Sequence, residues 1–159
     1  MRFDVMILLF VLTMSCNTQK EVVKPVKEKL TYLDGKMIFL KAPDLTTAME
    51  YAEKKNKPLF IEFEADWCLP CQIMSEEVFT NQETADFFND NFVNYKVDIE
   101  TGSGPNLKML YGVNILPTLI FIDYNGRTLS RNDGSLMHNS LMNLANGALS
   151  NLEVNATAQ

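Results

Sequence analysis

Residues 59–71 read LFIEFEADWCLPC, and they join an apolar run directly to two cysteines that stand three positions apart. A nearly continuous apolar run of this length is typical of a strand that is buried on both faces, and the residues after the second cysteine suit a helix on its surface. A strand that leads into a helix opening with C-x-x-C has the geometry of a dithiol that closes and reopens reversibly. We therefore expect Cys68 and Cys71 to be redox-active.

Two other interpretations of the cysteine pair are weaker. A C-x-x-C can form half of a structural zinc site, but such a site normally needs four ligands, and the chain offers only Cys16 and His138 besides. A purely structural disulfide that closes so small a loop would constrain the unfolded chain little. The sequence therefore favours redox chemistry and predicts no metal site.

The composition fits one globular domain with tails. The chain has 159 residues, of which 47% are apolar and 21% charged, and its formal net charge is −6. Acidic residues are spread along the chain rather than gathered in a block, which argues against nucleic acid and anionic lipid surfaces as electrostatic partners. We expect a monomer that binds no nucleic acid.

The N-terminus carries a predicted signal peptide. The apolar run from Val5 to Met14 is about half of the roughly 20 residues that a membrane-spanning helix needs, so residues 1–15 are predicted to be a signal peptide. Its end resembles a bacterial lipoprotein signal, which implies that Cys16 is lipidated, although Thr13 stands where leucine is usual. An ordinary secretory signal with an incidental cysteine is the alternative. Residues 16–36 are polar and rich in lysine, and we expect them to be a flexible tether.

The remainder reads as alternating strands and helices. We expect one domain over residues 37–150, with the order βαβ, then α, then ββα, and a disordered tail over residues 151–159. This order predicts an α/β fold with a central mixed sheet and helices on both faces.

Three motifs in this order resemble the thioredoxin family. They are Ala65-Asp66-Trp67-Cys68-Leu69-Pro70-Cys71, Tyr111-Gly112-Val113-Asn114-Ile115-Leu116-Pro117-Thr118 and the Asp123-x-x-Gly126 turn. The chain is also similar to the periplasmic C-terminal domain of the DsbD family and to related thioredoxin-like lipoproteins. This similarity is carried by the sequence Ala65-Asp66-Trp67-Cys68, followed by Glu77-Val78-Phe79. The resemblance implies a thioredoxin fold and a thiol-disulfide oxidoreductase.

The roles of the two cysteines follow from this placement. Unpaired N–H groups and the positive end of the helix dipole favour a thiolate at the first cysteine, so Cys68 is the expected nucleophile and Cys71 the resolving thiol. The resemblance further implies that the Leu116–Pro117 bond is cis and exposes backbone to which a substrate segment pairs. The alternative is a trans proline that merely begins a strand.

Glu62 interrupts the apolar strand six positions before Cys68. Because burying an ionised carboxylate is unfavourable, a buried Glu62 should either stay protonated or carry protons with a raised pKa. Thioredoxins have an aspartate at the matching position, so the resemblance implies that Glu62 accepts the proton of Cys71. The resemblance implies that Lys96 on the neighbouring strand pairs with it. The alternatives are an acid that reaches solvent at the strand end and a solvated lysine.

Further residues are assigned around the dithiol. Trp67 is expected to shield the cysteines and contact the partner, with a core position as the alternative. Gly134 matches a glycine that lets partner backbone approach, or else it serves a simple turn. Ser75 stands where the DsbD-type domain carries an acid, so this chain departs from that pattern.

The expected activity is reduction of protein disulfides. Pro70 before the resolving cysteine resembles reducing thioredoxins, and no nucleotide, flavin or metal motif accompanies the dithiol. No cofactor is therefore expected, and electrons would come from a membrane donor of the DsbD type on the periplasmic side of a bacterial envelope. A disulfide oxidase or isomerase of opposite poise and a non-catalytic binding module are the alternatives.

Overall fold

The chain folds around a sheet whose middle strand leads into the two cysteines. The computed structural model describes the backbone of residues 31–32 and 36–157 and the side chains of residues 36–154. Its elements are, in chain order, β1 (Thr31–Tyr32), β2 (Ile38–Leu40), α1 (Leu45–Lys55), β3 (Leu59–Glu64), α2 (Leu69–Ile73), a π-helical turn (Met74–Val78), α3 (Gln82–Asn91), β4 (Val93–Asp98), α4 (Gly104–Leu110), β5 (Thr118–Ile122), β6 (Thr128–Asp133) and α5 (His138–Thr157).

The strands of the described residues form one mixed sheet in the order β1-β2-β4-β3-β5-β6. Strand β3 lies inside it, parallel to β4 and antiparallel to β5. The register places Glu62 opposite Lys96 on one side and opposite Leu119 on the other. Because β3 has a partner on both edges and helices on both faces, its residues 59–63 are buried, as its apolar sequence predicts, and Glu64 at its end is partly exposed. The expected α/β fold with a mixed sheet is confirmed.

Two hydrophobic layers cover the sheet. One face packs against α1 and contains Leu45, Ala48 and Ala52 of that helix together with Phe63 and both cysteines. The other face packs against the π-helical turn, α3 and α5, and its centre is a group of phenylalanine rings 4.9–6.3 Å apart: Phe60, Phe79, Phe88, Phe92 and Phe121. Side chains that alternate along β3 supply both layers, which is why so few of its residues are polar.

Helix α4 approaches the end of β4 very closely. A methyl group at Gly104, the first residue of α4, would lie 1.7 Å from the carbonyl oxygen of Asp98. Only glycine fits at this position, because any side chain would force the helix off the sheet. Gly104 therefore sets how closely α4 packs against the end of β4.

The two ends of the domain differ from the sequence prediction. Thr31–Tyr32, inside the predicted tether of residues 16–36, form β1 and pair antiparallel with β2. Helix α5 continues to Thr157, so the prediction of a disordered tail from residue 151 is wrong for residues 151–157. Asn151 Nδ2 donates a hydrogen bond of 2.8 Å to the carbonyl of Leu129, and Leu152 packs against the core, which holds the last turns of the helix in place.

Candidate active site

The cysteine pair lies where β3 passes into α2. Cys68 caps the helix, and the backbone N–H of Cys71 donates to Cys68 Sγ at 3.2 Å. The two residues form a disulfide with an S–S distance of 2.02 Å and a Cα–Cα distance of 5.3 Å. An N–H directed at this sulfur stabilises a negative charge on it more than a neutral thiol, so the arrangement favours Cys68 as the thiolate once the disulfide is reduced.

The helix after the cysteines has two parts. The sequence predicted a single helix after the second cysteine, whereas the structure begins the helix at Leu69 and widens it into the π-helical turn Met74–Val78. This turn places Met74 and Val78 in the core and leaves Glu76 and Glu77 exposed.

A groove of about 390 Å³ runs beside Cys68. Cys68 itself is only 3% exposed, but it lines this groove together with apolar side chains and two polar ones, and the complete lining is Trp67, Cys68, Leu69, Pro70, Ile99, Lys108, Val113, Asn114 and Leu116. Trp67 is 65% exposed, so the alternative of a core position is wrong. An extended segment in this groove would lie against the sulfur and an aromatic side chain.

The loop before β5 lines the groove with Val113, Asn114 and Leu116. The Leu116–Pro117 peptide bond is cis, as the family resemblance implies. The N–H of Gly134 donates to the carbonyl of Pro117 at 2.7 Å, and Gly134 adopts φ of 103°, which a residue with a side chain rarely adopts. Thr118 Oγ1 donates to the carbonyl of Ile115 at 2.7 Å. Hydrogen bonds from Thr118, at the end of the loop, and from Gly134, directly after β6, therefore fix the backbone of this loop.

Glu62 is fully buried and lies beside Lys96. Its Oε2 is 3.1 Å from Lys96 Nζ, and neither of its carboxylate oxygens accepts a well-aligned hydrogen bond from a described residue. Burial raises the pKa of Glu62 to about 7; Lys96 opposes this rise, and the carboxylate of Glu64 adds to it. The alternatives of an acid at the solvent edge and a solvated lysine are both wrong, because Glu62 is 0% and Lys96 12% exposed.

Sequence reasoning missed Glu64. Its Oε2 lies 2.7 Å from Lys96 Nζ, and Ser75 Oγ lies 3.1 Å from the same nitrogen. Burial alone would lower the pKa of Lys96, but the carboxylates of Glu62 and Glu64 raise it above its usual value. The spacing of Glu62 and Glu64 was a usable signal, because residues two apart on a strand share a face.

Some predictions concern residues that the structure does not describe. Cys16 and the signal peptide of residues 1–15 lie outside the described residues. Within residues 31–32 and 36–157, no group of three or more histidine, cysteine or acidic side chains is placed to hold a metal ion. No helix in that same part of the chain is long and apolar enough to cross a membrane.

The fold and the site define a class: a thioredoxin-fold protein with a redox disulfide at the start of a helix. Residues 39–123, more than half of the chain, match the family model described as thioredoxin-like, and the chain belongs to that family.

Individual relatives agree with this assignment. Thioredoxin Y, chloroplastic, of Oryza sativa subsp. japonica is 34% identical over 63% of this chain and 56% of its own length. The thiol:disulfide interchange protein DsbD of Cronobacter sakazakii is 31% identical over 54% of this chain and 15% of its own length. The solution structure of a proposed disulphide-isomerase from Bacteroides thetaiotaomicron superposes with a TM-score of 0.66 and 34% identity, covering 75% of this chain and 97% of that one. This chain thus spans about half of the rice protein and a small part of DsbD.

Proposed function

We propose that this protein is an extracytoplasmic thiol-disulfide oxidoreductase that reduces disulfides in other proteins through Cys68 and Cys71. The observation that carries the proposal is the Cys68–Cys71 disulfide at the start of α2, on an open groove beside the cis Leu116–Pro117 bond. A buried structural disulfide would need no such opening. A disulfide that exchanges with a partner needs one, because the attacking sulfur must reach the partner's sulfur.

The reaction begins at Cys68. In the reduced protein its thiolate attacks one sulfur of the substrate disulfide; a bond forms between the two sulfurs, the substrate S–S bond breaks, and its second sulfur leaves with the electron pair. Leu116 and Trp67 line the groove in which the substrate segment would lie. Gly134 has open space where a side chain would stand, so substrate backbone can approach the loop there.

Cys71 completes the reaction. Its thiol loses a proton, its sulfur attacks Cys68 Sγ, and the mixed disulfide breaks to release the substrate as a thiolate. Glu62 is the proposed acceptor of that proton, because a buried carboxylate with a pKa of about 7 takes up and gives back a proton near neutral pH. Lys96 stabilises the ionised form of Glu62 between reactions.

Reduction is the proposed direction. Neither residue between the cysteines carries a charge, and the side chain of Leu69 is 63% exposed and offers no hydrogen bond to the Cys68 thiolate. A weakly stabilised reduced form gives a low potential, whereas strong oxidants stabilise the reduced form. Equilibration with a glutathione buffer measures this directly: we expect a potential closer to the roughly −270 mV of thioredoxin, and a value near −120 mV would reject the direction.

An isomerase is the second candidate. The relative from Bacteroides thetaiotaomicron that covers most of this chain at 34% identity is a proposed disulphide-isomerase. Reactivation of an enzyme with scrambled disulfides separates the two activities, because an isomerase restores it without a net supply of electrons. Insulin reduction that survives Cys68→Ser would remove the catalytic role of this pair. A wild-type protein that neither reduces insulin nor reactivates the scrambled enzyme would be a binding module.

The proposed location is the periplasmic side of a bacterial envelope, with a lipid at Cys16 as membrane anchor. DsbD relatives and the lipoprotein-like signal support it. Two or more acyl chains give durable membrane binding, at about 0.8 kcal/mol for each buried methylene. A membrane protein of the DsbD type would re-reduce Cys68 and Cys71. Labelled palmitate should enter the wild-type chain but not Cys16→Ala, and labelling of both would reject the anchor.

A further inference from the structure

We propose that Glu64 is a positioning residue for the redox site: it holds the ammonium group of Lys96 between two carboxylates, so that the buried Glu62 is the one that accepts and releases a proton. This inference rests on the proposed function, in which Glu62 accepts the proton of Cys71.

Two carboxylates and two aromatic rings surround the ammonium group of Lys96. Its Nζ lies 2.7 Å from Glu64 Oε2 and 3.1 Å from Glu62 Oε2. The aromatic rings of Phe39 and Phe79 lie 5.1 and 5.5 Å from the same nitrogen. With rings and carboxylates around it, the ammonium is fixed between the two acids.

The register of the sheet explains why two acids meet one lysine. Glu62 is directly opposite Lys96 on the parallel strand β4, and Glu64 is the next residue of β3 on the same face. The long side chain of Lys96 starts opposite Glu62 and extends along the strands until its Nζ reaches Glu64. A shorter cationic side chain, or a one-residue shift in the register of β3 and β4, would lose the contact with either Glu62 or Glu64.

One positive charge cannot neutralise two carboxylates in a poorly hydrated place. Glu64 has the shorter contact and a side chain that is 27% exposed, so water also stabilises its charge. Glu62 is fully buried and shares only the longer contact. Glu64 is therefore the closer and better-hydrated partner of Lys96, and Glu62 is the acid that gains and loses a proton.

Glu64 also connects this network to the cysteines. It lines a polar cavity of about 210 Å³ together with Cys71, Ser75 and the exposed acids Asp66 and Glu76. Ser75 contacts Lys96 and follows Cys71 by about one helical turn. The charged groups that face the network are thus Glu62 and Glu64 of β3, Lys96 of β4, Asp66 of the loop and Glu76 of the π-helical turn.

One proton moves in the resolving step. The Cys71 thiol gives its proton to the Glu62 carboxylate, the Cys71 sulfur bonds to Cys68 Sγ, and the substrate sulfur leaves as a thiolate with the electron pair of the broken bond. With Glu64 present, the ammonium of Lys96 is shared, and Glu62 is a stronger base than it would be as the sole partner of Lys96. Removing the charge of Glu64 should weaken this base.

The test is a titration of Glu62 in the oxidised protein, in which Cys68 and Cys71 do not titrate. Carbon-13 NMR of labelled glutamate carboxyls, with Glu62 assigned from Glu62→Gln, gives its pKa in wild type, Glu64→Gln and Glu76→Gln. Glu76→Gln is the matched control, because it removes a carboxylate from the same cavity without touching Lys96. We expect Glu64→Gln to lower the pKa of Glu62 by about one unit, a tenfold change in its proton affinity, and Glu76→Gln to change it much less.

A kinetic measurement tests the role of Glu64 and the proposed function separately. The reduced protein reacts with Ellman's reagent at Cys68, and resolution by Cys71 releases a second thionitrobenzoate that stopped-flow absorbance records. We expect the pH midpoint of this second phase to move to lower pH in Glu64→Gln and its rate above pH 8 to fall several-fold.

Three outcomes are distinguishable. An unchanged or raised pKa of Glu62 in Glu64→Gln overturns the inference, even where the wild-type protein resolves the mixed disulfide. Equal shifts in Glu64→Gln and Glu76→Gln also overturn it, because the effect would then be general charge rather than the hold on Lys96. Absence of a second phase in the wild type overturns the proposed function itself.

Discussion

Glu62 and Lys96 form an ion pair inside the sheet, with 3.1 Å between Oε2 and Nζ and with the carboxylate completely buried. The pair is not a stabilising surface bridge: a buried pair must compensate for the water that both groups lose, and this one does so incompletely, since the pKa of Glu62 rises to about 7. An unfavourable charge at this place has a consequence for stability that can be measured.

The free energy of unfolding should fall as pH rises through the range in which Glu62 ionises. The folded-state pKa of about 7 lies above the ordinary value of 4.5, so between these pH values the folded protein binds more protons than the unfolded chain. The contribution of Glu62 to the free energy of unfolding is thus fully present below pH 4.5 and is lost as the pH approaches and passes 7. The total loss is about 3 kcal/mol at most.

Denaturant unfolding at pH 5 and pH 8 checks this prediction. Glu62→Gln should gain stability relative to wild type at pH 8 and much less at pH 5, while the exposed Glu50→Gln should show no such difference. Equal effects of Glu62→Gln at both pH values would contradict the raised pKa.

Cys71→Ala should trap substrates. Without the resolving sulfur, the mixed disulfide at Cys68 persists, and non-reducing electrophoresis should show complexes that disappear with reductant. Cys68→Ala is the matched control and should form far fewer, since Cys68 is the sulfur on the groove. Equal trapping by both variants would contradict the assignment of Cys68 as nucleophile.

Trp67→Ala should impair contact with protein substrates and leave the fold intact. Because the side chain is 65% exposed, its removal should change the free energy of unfolding by less than about 0.5 kcal/mol. We expect kcat/KM for insulin reduction to fall about tenfold, with little change for a small aromatic disulfide, since exposed tryptophans often dominate binding energy. Tyr124→Ala, in the β5–β6 hairpin, is the control and should leave both rates unchanged.

Gly104→Ala should destabilise the protein severely. The added methyl group would lie 1.7 Å from the carbonyl oxygen of Asp98, so α4 or the end of β4 must move, at a cost of at least about 2 kcal/mol. Gly147→Ala is the matched control, because Gly147 lies within α5 with open space around it, and the change should stabilise by about 0.5–1 kcal/mol. Thermal unfolding of both variants checks the pair, and similar melting temperatures would contradict the close approach.

Local patterns in the sequence were sufficient for most of the elements. The apolar run before Cys68 predicted β3. Asp44 directly precedes residues at helical spacing, which predicts a helix cap, and in the structure its side chain accepts from the N–H of Thr47 at 2.8 Å at the start of α1. The apolar-rich residues 118–122 predict a strand, and β5 lies there. These features depend on neighbours in the chain, so composition and spacing are enough to find them.

The ends of elements were predicted less well. The sequence predicts the last strand at residues 127–130, whereas β6 extends to Asp133. The apolar spacing from Leu141 to Leu149 predicts the last helix, whereas α5 extends from His138 to Thr157. His138 is an example of the reason: its Nδ1 lies 2.7 Å from Thr84 Oγ1, a contact between residues far apart in the chain. Contacts of this kind stabilise terminal turns that propensity alone leaves undecided.

The sequence alone determined that this chain carries a dithiol on a strand-to-helix connection, because adjacency of the apolar run and C-x-x-C is a local property. Only the tertiary structure decided that Lys96 meets Glu64 as well as Glu62, that Trp67 faces solvent, and that α4 needs glycine at its start. Each of these depends on the register and distance between segments that the chain brings together from far apart, and no local pattern encodes a distance between them.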